Sequence, residues 1–479
     1  MNVAQSFLPF KLEVEKEAMR VTAHGGLPLV VEALRATTTK SRYRELRDAL
    51  AYHSWRTVRR HVESLVALIA AGGDCLDDLH TLRGDPALKA LLGFEVSSPT
   101  QAKDFLYRFH QDRNGQRLTR REDVTLSCAG QAQIREEGPG LRALALMVHE
   151  VMLRLQGRRS MTRATLDVDA TLVEANKANA LRAYEGTVGY QPQMAWWAEQ
   201  RLWVKDEFRD GNVPAAFAVL EFVQRAVHQL PDTVTQRRLR ADSALYDEKL
   251  LTWADDAKIA FAVSADMTPA LRDHVIAVEN ADWKPYHTLR ATEPIEDPRE
   301  ERQWADVPSF IPGWERNFRN GTNAFRYIAV RVRSRQRELW ENTDGWRHFA
   351  VVTNMDWDGE RLLRWHREKQ GTVEHAHGVL KNELAAGTLP ASRFGANAAF
   401  WRLNVLVHNL LELMKAVALP PQMNALKPKA LRFRVFALAG RVVHHGRELI
   451  LKIAETLPFA SLYAQARTAI QSLAALSTA

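Results

Sequence analysis

One short segment, from Thr165 to Leu172, constrains the fold of this chain more than any other feature, because apolar and polar residues alternate along it. Its aliphatic residues are Leu166, Val168, Ala170 and Leu172. Side chains in a β-strand point to alternate faces, so the pattern predicts a strand with these residues buried and with Asp167 and Asp169 together on the other face. Parity alone does not choose between the two acids.

Two further acids stand in elements of regular structure. Residues 238–243 read as a second strand, which carries Asp242. Glu374 lies in a predicted helix where Arg367, Glu374 and Lys381 recur every seven residues and therefore share a face. Taken alone, each acid is typical of a turn or a solvated surface. Taken together, an acid on each of two strands and one helix suits a site for two hard divalent cations, which prefer carboxylate oxygens.

With these motifs in this order, the chain resembles the DDE transposases of bacterial insertion sequences. The motifs are Asp-Val-Asp-Ala-Thr at 167–171, Arg-Ala-Asp-Ser at 240–243, and the helix on which Lys381 follows Glu374 by seven residues. More narrowly, the chain is similar to the cut-and-paste group that has a β-rich insertion before the final Glu and a Tyr-Arg-Glu-Lys signature. In that signature a Tyr and an Arg precede the Glu by seven and four residues, where this chain has Arg367 and Gln370.

The resemblance, which runs from about residue 10 to residue 455, implies a site and its partners. It assigns catalysis and metal binding to Asp169, Asp242 and Glu374, and favours Asp169 over Asp167 because Ala-Thr follows it. The implied cofactor is Mg²⁺ (or Mn²⁺), with two ions in each active site. The implied partners are the terminal inverted repeats of the element and the target DNA, bound by a homodimer, with Lys381 and Arg367 contacting phosphates.

The resemblance also implies an α/β fold, in which a β-rich insertion interrupts an RNase H-like mixed-sheet catalytic core behind a helical N-terminal DNA-binding module. Periodicity fits this order with helices at 141–156, 214–230 and 248–256, a hairpin of 194–199 with 202–208, and a strand at 259–263. The Asp169 and Asp242 strands are expected to be neighbours. The predicted regions are 1–140 (N-terminal module), 141–265 (first part of the core), 266–360 (insertion), 361–420 (Glu374 helix and packing helix) and 421–479 (basic C-terminal segment).

The N-terminal module reads as helical. Ser54 can cap one helix, and Ser98-Pro99 gives a second helix its N-cap and first residue. Lys103 and Arg108 fall on the outer face of this second helix, where they could contact DNA. The pair of helices is either a helix-turn-helix that reads terminal DNA or part of a plain helical bundle.

The predicted insertion is rich in tryptophan and arginine. Its tryptophans are Trp283, Trp304, Trp314, Trp340, Trp346 and Trp357, and its arginines include Arg326, Arg331, Arg333, Arg335 and Arg337. Aromatic rings interleaved with guanidinium groups can hold an unstacked base and its phosphates, so Arg331 and Arg333 are DNA-binding candidates. The alternative is that most of these tryptophans form the core of a small β subdomain.

The C-terminal part begins with a long apolar helix predicted at 397–417, which is followed by a basic segment. Within that segment Arg432 and Arg434 form a pair suited to phosphate contacts, although a solvated charged face would have the same composition. The last thirty residues are rich in Ala and Leu and predict an amphipathic helix.

Composition agrees with a DNA-acting protein without requiring one. The chain of 479 residues has 65 Lys and Arg against 57 Asp and Glu, a net charge of +8 that favours a polyanionic partner weakly. Two cysteines and the lack of an export or membrane signal indicate a cytoplasmic protein, and the resemblance implies a bacterial, nucleoid-associated one. Two other functions fit the residues: an RNase H-like endonuclease without strand transfer, and a non-catalytic domesticated DNA-binding protein.

Overall fold

The computed structural model describes residues 20–119, 132–177, 179–183, 185–287, 300–308, 310–313, 325–334 and 345–474. Its helices are α1 (Leu27–Thr37), α2 (Lys40–Ala49), α3 (Trp55–Ala71), α4 (Leu79–Arg83), α5 (Pro86–Leu92), α6 (Pro99–Tyr107), α7 (Pro139–Arg158), α8 (Val219–His228), α9 (Glu248–Asp256), α10 (Pro269–Ile276), α11 (Gly359–Asn382), α12 (Phe394–Val417), α13 (Pro428–Leu431) and α14 (Ala460–Ala474). Four candidates from the predicted insertion, Trp314, Trp340, Arg335 and Arg337, lie outside the described residues.

The strands complete the list of regular elements. They are β1 (Val21–Thr22), β2 (Arg163–Ala170), β3 (Val173–Glu174), β4 (Leu181–Arg182), β5 (Val188–Tyr190), β6 (Gln193–Trp197), β7 (Leu202–Glu207), β8 (Gln236–Ala241), β9 (Ala260–Ala265), β10 (Lys284–Pro285), β11 (Glu300–Asp306), β12 (Arg326–Ser334), β13 (Arg347–Thr353), β14 (Gly440–His445) and β15 (Glu448–Ile453).

The core of the fold is a mixed sheet in which the order of neighbouring strands is β7-β6-β2-β8-β9. β6 is antiparallel to β2, whereas β7, β8 and β9 run parallel to β2. Counted along the chain, these five strands have the order 3-2-1-4-5 with the second strand antiparallel. This topology confirms the predicted RNase H-like core and the pairing of the Asp169 and Asp242 strands.

The strands of the predicted insertion extend the same sheet. β13 pairs antiparallel with β9, and β12, β11 and β10 follow in that order, which gives nine strands in all among the described residues. Trp283, Trp304 and Trp346 are buried, as expected for core tryptophans. Trp304 belongs to a small apolar cluster with Leu362 and Leu363 of α11. The described part of this region therefore packs as a continuation of the RNase H-like sheet.

Several predicted boundaries are wrong by a few residues, and two of them are instructive. The helix predicted from Pro214 begins at Val219, because residues before it form turns and Ala218 has a left-handed φ of 52°. The second strand ends at Ala241, one residue before the candidate acid. Asp242 instead caps a short 3-10 turn, and its carboxylate accepts the N–H of Ala244 at 3.1 Å. The acid thus lies just beyond the carboxyl end of β8, where sites in parallel sheets open.

The long helix α12 joins the N-terminal module to the mixed sheet. α12 is buried along almost its whole length and packs against α7, α3, α6 and β7. Its Arg402 donates to both carboxylate oxygens of Asp206 at 3.0 Å and to the carbonyl of Leu141 at 2.8 Å. At the other edge of the module, β1 pairs with β14 and so ties the two ends of the described chain together.

The N-terminal helices pack as a bundle. Both predicted caps are confirmed: the side chain of Ser54 accepts an N–H at the start of α3, and Ser98 forms a capping box on α6. α3 is buried over most of its length, whereas α6 keeps an exposed polar side that includes Lys103. None of the helices in the described ranges is both long enough and apolar enough to cross a membrane.

Candidate active site

The helix that carries Glu374 is fixed to the sheet by a buried ion pair. In the parallel register of β2 and β8, Asp167 lies opposite Arg240. Their side chains are 0% and 2% exposed, and the guanidinium donates to both carboxylate oxygens, at 2.6 and 3.0 Å. Arg240 also donates to the carbonyl of Trp365 in α11 at 2.6 Å, and the hydroxyl of Thr372 donates to Asp167. Asp167 is thereby used to dock α11.

The other three acids line one open cavity of about 1010 Å³. Asp169 is the last but one residue of β2, Asp242 is the residue after β8, and Glu374 lies within α11; all three line this cavity. Asp169 is the most enclosed, with 14% of its side chain exposed against 49% for Asp242. The structure therefore brings together the three acids that the sequence singled out, and it separates Asp169 from Asp167.

The acids in this cavity act on one another electrostatically. Burial raises the pKa of Asp169 from its ordinary value of 3.8 to about 7. The ammonium of Lys369 opposes this rise, while the negative charges of Asp242 and Glu374 add to it. Like charges held near one another favour protonation of one of them, or neutralisation by a cation.

One lysine lies between two of the acids. The Nζ atom of Lys369 is 3.5 Å from Asp169 Oδ2 and 3.8 Å from Asp242 Oδ2. Two histidines of α11 also line the cavity, but burial lowers the pKa of His366 to about 4 and that of His377 to about 3. Both imidazoles are therefore neutral near pH 7, so of these three α11 side chains it is Lys369 that brings a positive charge to the acids.

The donors are of the type that divalent cations prefer. Three carboxylates open onto the same cavity from two adjacent strand ends and a helix, and the charges of Asp242 and Glu374 raise the pKa of Asp169. Hard ions such as Mg²⁺ and Mn²⁺ prefer carboxylate oxygens and keep part of their water shell, which an open cavity permits. Asp169, Asp242 and Glu374 are the residues that would hold such ions.

Two predicted phosphate contacts share this cavity. Arg367 and Lys381 both line it, as their seven-residue spacing from Glu374 requires. The Nζ atom of Lys381 donates to the carbonyl of Leu172 at 3.4 Å. Gln370, which replaces the arginine of the resembled signature, also faces the cavity.

The predicted contacts from β12 are placed on the other face of the sheet. Val330 and Val332 line the cavity, so the alternate residues Arg331 and Arg333 point away from it. The guanidinium of Arg331 lies between two tryptophan rings, 4.3 Å from the centre of Trp283 and 4.5 Å from that of Trp346. These arginines therefore stack on tryptophan instead of facing the acids.

The strands on either side of β12 carry other arginines on the face that lines the cavity. Arg302 of β11 and Arg347 of β13 both line the cavity, and both lie directly opposite Val332 of β12, which stands between them. Sequence reasoning missed them because strand pairing decides which face of each strand meets the acids. Tyr286, the residue after β10, was also missed, and it lines the cavity near Arg367.

The remaining DNA-binding candidates divide into internal and exposed residues. Arg108 donates to the carbonyls of Leu50 and Ala51, at 2.9 and 3.0 Å. Arg432 donates to the carbonyls of Ala70 and Glu383 and so links the N-terminal bundle to the C-terminal segment.

Exposed candidates remain in both terminal regions. Lys103 is exposed on α6, and Arg434 is exposed in a π-helical turn that spans Arg432–Phe436. Next to Arg434, the ring of Phe433 is 84% exposed, and Lys427 and Lys429 are exposed nearby.

An RNase H-like sheet with three acids at the ends of two neighbouring strands and on a crossing helix defines a class of phosphodiester-processing proteins. The model of the family described as Transposase DDE domain group 1 matches residues 8–475, so the chain belongs to this family of DDE transposases. A comparison with curated proteins finds no match. Among solved structures, the chain is similar to a piggyBac transposase, in the cryo-EM structure of its synaptic complex with hairpin DNA. The identity is 9%, the TM-score is 0.47, and the match covers 85% of this chain and 78% of that one.

Proposed function

We propose that this protein is the transposase of an insertion sequence, which binds the terminal inverted repeats and catalyses metal-dependent DNA cleavage and strand transfer. One observation carries the proposal: Asp169, Asp242 and Glu374 converge on one cavity in a chain that belongs to the DDE transposase family. An RNase H-like endonuclease without strand transfer would keep the three acids but would need neither the helical N-terminal module nor the insertion, and a non-catalytic DNA-binding protein would tolerate loss of the acids.

The acids have distinct positions in the proposed chemistry. Bound Mg²⁺ or Mn²⁺ would activate the attacking hydroxyl and stabilise the leaving oxygen of an in-line displacement. Asp169 near the end of β2 and Asp242 just after β8 would hold the ions together with Glu374 of α11. The nucleophile is water in the cleavage step and the freed 3′ hydroxyl in the joining step, so no side chain forms a covalent bond to DNA.

Basic residues around the cavity would position the DNA. Arg302, Arg347, Arg367 and Lys381 lie on the cavity wall, where they can contact phosphates on both sides of the scissile bond. The exposed surface formed by Lys427, Lys429 and Arg434 would extend these contacts along the duplex. Because joining two ends requires two active sites, the working assembly would be a homodimer that pairs two DNA ends.

The proposal is tested with DNA taken from the flanks of the reading frame. Labelled duplexes of each flank are incubated with the protein, Mg²⁺ and a supercoiled target plasmid, and the matched control duplex has its end sequence scrambled. A transposase nicks only the native ends and joins them to the plasmid. Cleavage without joined product would identify an endonuclease, and binding without cleavage would identify a non-catalytic protein; either result contradicts the proposal.

A further inference from the structure

Lys369 has a position that the proposed chemistry leaves unexplained. It lies on α11, five residues before Glu374, and its side chain is 7% exposed. Its Nζ atom contacts Asp169 Oδ2 at 3.5 Å and Asp242 Oδ2 at 3.8 Å. The ammonium group therefore sits between two of the three proposed metal ligands.

An ammonium group and a divalent ion next to Asp169 and Asp242 weaken each other's binding. Carboxylate oxygens hold Mg²⁺ at about 2.1 Å, so an ion bound by Asp169 would lie within about 6 Å of the present position of Nζ. Coulomb repulsion in a half-enclosed site then favours either the ion or the ammonium next to the two aspartates.

The cavity offers the displaced ammonium a second partner. Lys369 lines the same cavity as Arg367 and Lys381, which are the proposed phosphate contacts. A lysine side chain is a flexible stem with a point charge at its end, so Nζ can move several ångströms without a change in the helix. A DNA phosphate entering the cavity would attract the ammonium away from the aspartates.

We infer that Lys369 is a resident cation that competes with the divalent ions and couples their binding to that of DNA. Without DNA it neutralises Asp169 and Asp242 and keeps metal affinity low. With DNA it pairs with a phosphate and leaves the two carboxylates to the metal. By linkage, DNA then raises metal affinity by the same factor by which metal raises DNA affinity. This inference rests on the proposed function of the three acids.

The test is Mn²⁺ binding by calorimetry at pH 8, above the pKa of Asp169, on the full chain without DNA. Lys369→Met is expected to bind Mn²⁺ about tenfold more tightly than the parent, because it lacks the competing charge. Lys381→Met is the matched control: it removes the same charge from the same helix and cavity, but Lys381 donates to a backbone carbonyl and should give a smaller gain. Lys369→Gln repeats the test with a polar side chain, and melting curves verify folding.

A second measurement compares Mn²⁺ binding with and without DNA. The parent should bind Mn²⁺ more tightly when a saturating flank duplex is present, and Lys369→Met should show much less of this enhancement. Unchanged or weaker Mn²⁺ binding by folded Lys369→Met and Lys369→Gln, or no effect of DNA on the parent, would overturn the inference. If Asp169→Asn and Asp242→Asn bind Mn²⁺ as the parent does, the metal site itself is misassigned, which is a failure of the proposed function.

Discussion

Asp167 and Arg240 are paired twice, once by strand register and once by their side chains. The two residues lie opposite each other in the parallel ladder of β2 and β8, and their side chains form two hydrogen bonds of 2.6 and 3.0 Å. Because Arg240 also bonds to Trp365 in α11, this pair sets where the helix crosses the sheet. The position of Glu374 relative to Asp169 therefore depends on an acid that does not itself reach the cavity.

The first prediction separates this structural acid from Asp169, the proposed catalytic one. Asp167→Asn should lower the free energy of unfolding by about 3–5 kcal/mol, because it leaves the charge of Arg240 buried and without its carboxylate. The matched control is Asp306→Asn. Asp306 receives the same two-pronged contact from Arg326 between neighbouring strands, but its side chain is 51% exposed. The control should cost less than about 1 kcal/mol. If urea unfolding shows that Asp167→Asn and Asp306→Asn lose equal free energy of unfolding, Asp167 has no special role in docking α11.

This pair also marks the limit of what the sequence could supply. The alternation at 165–172 predicted a strand, which runs from Arg163 to Ala170, and the order of motifs predicted the sheet and a shared site for Asp169, Asp242 and Glu374, which line one cavity. The two-residue repeat of a strand places Asp167 and Asp169 on one face, however. Which of them α11 covers depends on where that helix crosses the sheet. That crossing point depends on long-range packing, which a local pattern does not contain.

The same limit explains the arginines of β12. Alternation identified the strand, but not which of its faces meets the acids, because β12 reaches the catalytic sheet only through β13 and β9. Arg331 and Arg333 were chosen for their tryptophan neighbours, and these neighbours belong to the opposite face. Lys369 was missed for a different reason: it does not share the seven-residue spacing of Arg367, Glu374 and Lys381.

The second prediction concerns the pH dependence of stability. The folded-state pKa of Asp169 is about 7 against an ordinary value of 3.8, so the native protein binds more protons than the unfolded chain between these values. The contribution of Asp169 to stability therefore falls as pH rises from about 4 to about 7. Asp169→Asn lacks this loss, so its Tm relative to the parent should be higher at pH 8 than at pH 5, by about 2 °C or more.

Divalent cations extend this test. At pH 8, Mn²⁺ should raise the Tm of the parent, because the ions bind the folded state, but not that of Asp169→Asn. If the Tm of the parent and the Tm of Asp169→Asn change in parallel from pH 5 to pH 8, with and without Mn²⁺, Asp169 is not a metal-binding carboxylate with a raised pKa.

The third prediction concerns the two faces of the extended sheet. Arg347 and Arg333 are both exposed and lie on neighbouring strands, but only Arg347 lines the cavity. Arg347→Gln should weaken binding of a flank duplex and reduce the slope of affinity against salt by about 1, as expected when one phosphate contact is lost. Arg333→Gln should leave both quantities close to those of the parent. The reverse pattern in anisotropy titrations would place the DNA on the tryptophan face.

The fourth prediction concerns the basic C-terminal segment. Arg434→Gln should weaken binding to specific and unrelated duplexes alike, because phosphate contacts carry affinity without sequence information. Arg432→Gln should instead lower Tm, since its guanidinium bonds to carbonyls of two different regions of the chain. Loss of affinity for the native ends alone, in Arg434→Gln, would show that this residue reads bases.

The central claim is that Asp169, Asp242 and Glu374 together hold the ions that cleave DNA. Its most direct test is the rate of Mg²⁺-dependent nicking at the native ends by Asp169→Asn, Asp242→Asn and Glu374→Gln, each verified to fold and to bind the duplex. Asp266→Asn, which alters another acid on the cavity wall, is the matched control. We expect no detectable nicking by the first three variants and near-parental nicking by the control. Nicking by any of the three within about tenfold of the parental rate, a barrier change of only about 1.4 kcal/mol, would contradict the assignment.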